Sequence, residues 1–268
     1  MRPWCLVGVS ALLLVAGFLQ AQVSSSDQVQ VGLPNVQRPA PPDPNASAED
    51  LEAKGDALRT DKAFLDALDY YREAIKKNPN RPQLYNKACM SELLIRHPED
   101  ARKDCQRATK KDRNYADAYN NLGVAYYLEK KYSKAIDQYQ KAIKLRQDAA
   151  SYYSNLGSAY FAKKEYDNAT VAYRQAMDID PEIFDRSSRA GVVGQISSPE
   201  DRARFDYVLA KLYAKLGDTD RCLQSLRRSM EEGYKGINDV YKDEEFASLR
   251  KDPRFNELMA SRPPGIPE

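Results

Sequence analysis

The sequence predicts an all-α protein, a solenoid of stacked helix–turn–helix pairs, on three observations. First, AYNNLGVAYYLEKKYSKAIDQYQKAIKL at 118–145 and YYSNLGSAYFAKKEYDNATVAYRQAMDI at 152–179 align without a gap at an offset of 34 residues. Gly123 and Gly157, Tyr126 and Tyr160, Ala135 and Ala169, Tyr139 and Tyr173, Ala142 and Ala176 coincide. Second, each half-unit spaces its apolar and small residues at i, i+3, i+4 and i+7, which gives one buried stripe per helix. Third, the register continues upstream for two more periods, and Pro79 and Pro181 close their units at the same place.

The elements follow in order. Residues 1–21 read as a signal peptide: basic Arg2, an apolar run from Trp4 to Leu19, and the small Ala21 at a cleavage point. The run is short of the ~20 residues a spanning helix needs, so membrane association is expected only if this segment stays uncleaved. Residues 22–47 are rich in Pro, Ser and Gln and read as an extended tether. Four repeats are expected at 48–81, 82–115, 116–149 and 150–183. An inserted loop at 184–202, with Gly191, Gly194 and Pro199, precedes a fifth, weaker unit at 203–236. That unit keeps Leu209, Ala210, Tyr213, Cys222 and Leu226 on the template. A helical cap is expected at 237–262, covering the last pair with Phe246, Leu249, Phe255, Leu258 and Met259.

A period of 34, with a Leu-Gly-x-x-Tyr half followed by an Ala-x-x-x-aromatic-x-x-Ala half, resembles the tetratricopeptide repeat. The cap resembles the tail of exported bacterial members. The resemblance implies a right-handed solenoid whose first helices line a concave groove. It makes the second, fifth, sixth, ninth, twelfth and thirteenth residues of each unit groove-facing. These include Asn86, Lys87 and Met90, then Asn120, Asn121, Val124 and Tyr127. The fourth unit adds Ser154, Asn155, Ser158 and Phe161, and the fifth adds Tyr207 and Lys211. Asn121 and Asn155 hold the sixth position of consecutive units, as in the asparagine ladder of the O-linked N-acetylglucosamine transferase family. An amide there can pair with any peptide backbone. Lys87 and Val208 hold that position in the flanking units and limit such a ladder to two rungs. The alternative is a local structural amide. The clamp of basic groove residues that grips chaperone tails is not matched, since Glu52, Asp56, Lys87, Asp117 and Asn121 stand at those positions.

Composition excludes more than it assigns. With 41 basic and 39 acidic residues interleaved, the net charge is +2, and no dominant positive face marks a nucleic-acid binder. Paired lysines such as Lys76-Lys77 and Lys110-Lys111 read as solvated helix ends favoured by the helix dipole. The single histidine, His97, sits in a turn without a partner dyad. No cluster of His, Cys or carboxylates reads as a metal site, and the stretch 189–195 lacks the Lys-Ser/Thr of a phosphate loop. No cofactor and no enzyme activity are expected.

Cys89 and Cys105 face each other across one helix pair, and a bridge between them would close a 16-residue span. Buried free thiols are the other reading. The expected role is a protein-interaction module of the periplasm or secreted space. It would bind an extended peptide or partner segment in the groove. The alternative is a structural subunit of an envelope assembly that works through its outer faces.

Overall fold

The protein was analysed as a computed structural model, which describes residues 40–187 and 198–261; the 1–21 segment lies outside them. Eight helices alternate in pairs: α1 (Ala48–Thr60), α2 (Phe64–Lys77), α3 (Pro82–Leu94), α4 (Pro98–Lys111), α5 (Ala116–Leu128), α6 (Tyr132–Leu145), α7 (Ala150–Ala162) and α8 (Tyr166–Ile179). A short α9 (Ile183–Ser187) follows, then the long α10 (Pro199–Leu216) and α11 (Thr219–Glu231). Three 3₁₀ turns at Ile237–Tyr241, Glu244–Phe246 and Leu249–Lys251 lead into α12 (Pro253–Ser261).

One pair of positions shows how sequence sets the packing inside a unit. The eighth residue of the first helix faces the twenty-fourth residue of the unit, on the second helix. At Gly55, Gly123 and Gly157 an added Cβ would lie 2.6, 2.5 and 2.5 Å from the ring of Tyr71, Tyr139 and Tyr173 respectively. Glycine is required because the tyrosine ring occupies the space a side chain would take on the opposite helix. In the second unit the same two positions are Cys89 and Cys105, and the structure joins them in a disulfide with Cα atoms 5.5 Å apart. Two small side chains and a bond replace a missing side chain and a large ring.

The turn inside each pair repeats as well. Lys62, Arg96, Lys130 and Lys164 are left-handed, with φ of 62°, 61°, 59° and 64°. The next residue donates back five positions, as in Ala63 to Leu58, His97 to Glu92, Lys131 to Tyr126 and Glu165 to Tyr160. This Schellman closure satisfies end carbonyls and reverses the chain within a few residues. Consecutive helices are therefore forced to run antiparallel.

Two boundaries differ from expectation. The end of the 22–47 stretch is not wholly free: Tyr70 donates to the carbonyl of Ala40 at 2.8 Å, and Lys77 to that of Pro44 at 2.7 Å. The stretch 184–202 is not all loop, because α9 lies at its start and α10 begins inside it. Ser198 caps α10 by accepting from the amide of Asp201, and Pro199 fills its first turn. Residues 188–197 lie outside the described structure.

The last pair keeps its internal register but not its direction. In the regular stack, the start of a second helix meets the end of the next first helix: Arg102 Nε of α4 reaches Glu129 at the end of α5, 2.8 Å away. The start of α10 instead meets the start of α8. The Arg204 guanidinium lies 4.5 Å from the Tyr166 ring centroid. The far end of α10 and the turn after it meet the chain beyond α8. Tyr213 OH is 3.5 Å from Asp185, and Arg221 Nη1 lies 3.2 Å from the Pro181 carbonyl and 2.8 Å from Glu182. Thus α10 runs alongside α8 in the same direction. Phe205 anchors it, with ring centroids 5.4 Å from Tyr173 and 6.0 Å from both Phe161 and Phe184. The end of the array is closed by buried Phe246, Leu249, Phe255, Leu258 and Met259.

Candidate functional site

The expected groove residues form a chain of bonds between units. Lys87 Nζ donates to Glu52 at 2.6 Å, Asn121 Nδ2 to Asn86 Oδ1 at 3.0 Å, and Asn155 Nδ2 to Asn120 Oδ1 at 2.9 Å. Each rung runs from the sixth residue of one unit to the fifth of the unit before. Lys87 therefore does not break the ladder; it makes its first rung with a charge in place of an amide. Asn120 Nδ2 donates on to Asn121 Oδ1 at 3.3 Å, and Asn86 Nδ2 to Tyr115 OH at 3.1 Å.

This supports the alternative of a structural amide. Asn121 and Asn155 are half-buried, and each commits one amide N–H to the preceding unit. Asn86, at 3% exposure, is a structural acceptor. Tyr127, Ser154, Ser158 and Phe161 are buried too. Tyr127 packs on Tyr132 with centroids 5.3 Å apart, Phe161 on Tyr166 at 5.2 Å, and Ser158 donates to the Ser154 carbonyl at 3.0 Å. Large rings at the twelfth position are gripped by the following helix, so they offer no pocket.

Tyr207 and Lys211 line a cavity of about 380 Å³ between α8 and α10 that is walled on one side by the segment after α11. Tyr207 donates to Asp243 at 2.9 Å, and Lys211 Nζ lies 3.0 Å from Asp243 and 3.4 Å from Glu245. The segment after α11 covers the face of α10 that the repeat register would have left open. The register could not reveal this, because it assumes that α10 follows α8 as α7 follows α6.

What remains on the inner face is narrow and apolar. Met90 and Val124 hold the ninth position of α3 and α5 and are half-buried. One turn further on, Leu94 is 52% exposed and Leu128 half-buried. The matching residues of α1 are Asp56 and Thr60, and those of α7 are Ser158 and Ala162, so the apolar strip is confined to α3 and α5. Leu94 and Leu128 were not among the expected groove residues named above, although the thirteenth position was the signal for them.

Buried titratable groups lie away from this strip. Glu92 of α3 and Asp104 of α4 are both buried and share Arg72 of α2; Arg72 Nη1 is 2.5 Å from Asp104. Burial, and then the charge of Asp104, pushes the Glu92 carboxyl up to about 7. Burial pushes the Cys222 thiol up to about 12, so it is held as a protonated core thiol. Among the described residues no group of three or more His, Cys, Asp or Glu could hold a metal ion.

Comparison with known proteins agrees with this architecture. Residues 116–148 and 150–183 each match the tetratricopeptide repeat family model. The fold is a tetratricopeptide-repeat solenoid. A solved MamA protein is 24% identical at a TM-score of 0.50, over 74% of this chain and 95% of that one. A thermophilic tetratricopeptide-repeat protein of Thermus thermophilus is 18% identical at a TM-score of 0.50, over 81% of this chain and 98% of its own. These likenesses concern the fold alone. No curated protein matches the chain.

Proposed function

We propose that the protein is an exported scaffold that holds an extended segment of a partner protein on the inner face of α3 and α5. The observation that carries the reading is the strip of Met90, Leu94, Val124 and Leu128, two matched apolar pairs one unit apart on an otherwise polar, internally bonded face. A segment bound there would be read mainly through its apolar side chains, because each asparagine already commits one N–H to the neighbouring unit. Net hydrogen bonds of about 1 kcal/mol each would add little. The Cys89–Cys105 bridge supports export, since such bonds persist in oxidising compartments. Mass spectrometry of the native protein should find a chain beginning near Gln22; an intact Met1 would contradict export.

Crosslinking from the native source tests the strip. Met90→Asp with Val124→Asp should abolish a crosslink that wild type forms, while leaving helicity unchanged. Retention of that crosslink would move the partner to the outer faces. That second reading, a structural subunit of an envelope assembly, is favoured by the internal use of Asn121 and Asn155 described above.

A further inference from the structure

We infer that the edge formed by the turns between helix pairs, at the ends of α2, α4 and α6, is a docking surface for an acidic, extended segment of a partner protein. Lys77, Lys110, Lys111, Arg113, Lys141 and Lys144 are exposed there, and among the described residues none has a carboxylate partner. Asp112 and Asp148 are the acids in the same turns. The helix dipole favours a cation at any helix C-terminus, and that alone would put one at the end of α8 as well. The matched position instead reads Lys76, Lys110, Lys144 and then Asp178, followed by Asp180 and Glu182. The fold therefore does not demand the lysines, and the basic run is bounded to three turns by an acidic one.

Some of the cations are also held in place. Lys111 Nζ lies 5.4 Å from the centroid of the Tyr85 ring and Lys141 5.9 Å from Tyr119, whereas Arg146 is already paired with Asp117 at 2.7 Å. Ring stacking limits the freedom a lysine loses on meeting a carboxylate. The opposite edge also carries Lys62, Lys130 and Lys164 without a carboxylate partner among the described residues, but it cancels other lysines locally: Lys131 pairs with Glu129, and Lys163 with Glu165 at 2.7 Å. Unpaired positive charge is thus denser on the first edge, and the complementary partner is a run of Asp and Glu. The docking surface is separate from the α3–α5 strip and does not depend on it.

The test is fluorescence anisotropy of the full chain with a labelled oligoglutamate peptide of about ten residues. At ~3.3 Å per residue such a peptide spans neighbouring turns. Lys77→Glu, Lys110→Glu and Lys144→Glu together should weaken binding at least roughly tenfold and flatten its salt dependence. The same charge change on the other edge, Lys62→Glu, Lys130→Glu and Lys164→Glu, should leave affinity within about twofold. If the first variant loses helicity, glutamine replaces glutamate at the same three sites and the expectation stands. Equal losses in the two variants overturn the inference. So does absence of binding at low salt, or binding to phosphatidylserine vesicles or duplex DNA as tightly as to the peptide. Met90→Asp with Val124→Asp should not change the peptide affinity; a loss there would place the peptide in the groove and also overturn it.

Discussion

The eight regular helices and the last pair obey the same local pattern and assemble differently. In α1 to α8, matched positions carry matched contacts: a residue on the eighth position wedged against the twenty-fourth, a left-handed turn, and a rung from sixth to fifth residue. In α10 and α11 the template residues Leu209, Ala210, Tyr213, Cys222 and Leu226 are just as buried. Ala210 and Leu226 occupy the wedge positions as a third solution beside Gly–Tyr and Cys–Cys. Yet α10 runs with α8 and not against it, and Val208 makes no rung. The difference lies in the connection. Regular turns such as 146–149 are too short for the chain to do anything but reverse, whereas 180–198 is long enough for it to start again from the other edge. Packing inside a pair and stacking between pairs are thus separable properties.

The largest expected effect is at the junction. Phe205→Ala removes the ring that ties α10 to Phe161, Tyr173 and Phe184, and should cost about 3–5 kcal/mol. Urea unfolding should then split into two transitions, the last pair melting before α1–α8. A single transition with an unchanged midpoint would mean that the two regions are not joined through this cluster.

Within the regular region, reducing the Cys89–Cys105 bridge should cost ~3 kcal/mol for a loop of this length. The sharper experiment replaces it. Cys89→Gly with Cys105→Tyr rebuilds the wedge of the neighbouring units, and should lose less than half of what Cys89→Ala with Cys105→Ala loses. If the rebuilt wedge is the worse of the two, the units are not interchangeable at these positions.

Next is a pH effect. Glu92 has a folded-state carboxyl raised to about 7 against an ordinary value of 4.5. The groups that face it are Arg72 from α2 and Asp104 and Asp100 from α4. The folded state holds the proton more tightly than the unfolded chain, so stability falls as pH rises through that window and levels off above it. Chemical denaturation across pH 5–8 should show this decline in wild type and a flatter profile in Glu92→Gln; parallel profiles would exclude Glu92 as its source.

The smallest effect concerns one atom. Tyr139 OH is buried with no hydrogen-bond partner among the described residues, whereas Tyr71 OH donates to Asp56 at 2.7 Å and Tyr173 OH to Ser158 at 3.3 Å. Tyr139→Phe should be neutral or stabilising by up to about 1 kcal/mol, and Tyr71→Phe destabilising by a similar amount. Matching losses at the two sites would show that the three tyrosine wedges are equivalent after all.

The sequence by itself determined what happens over short distances along the chain. The 34-residue period, the small residues in the helix crossings and the proximity of Cys89 to Cys105 were all legible. They depend on contacts between two helices joined by a short turn, where spacing leaves one geometry. Only the tertiary structure decided that Asn121 and Asn155 are bonded backward to Asn86 and Asn120, since an amide reads the same whether its partner is a neighbouring unit or a ligand. Only it showed Lys87 as a rung, because Glu52 lies a full unit away. The direction of α10, and the covering of Tyr207 and Lys211 by Asp243 and Glu245, were beyond the sequence for the same physical reason. A long connection fixes no orientation, and the register of a repeat describes a unit without saying which way the next one will be laid down.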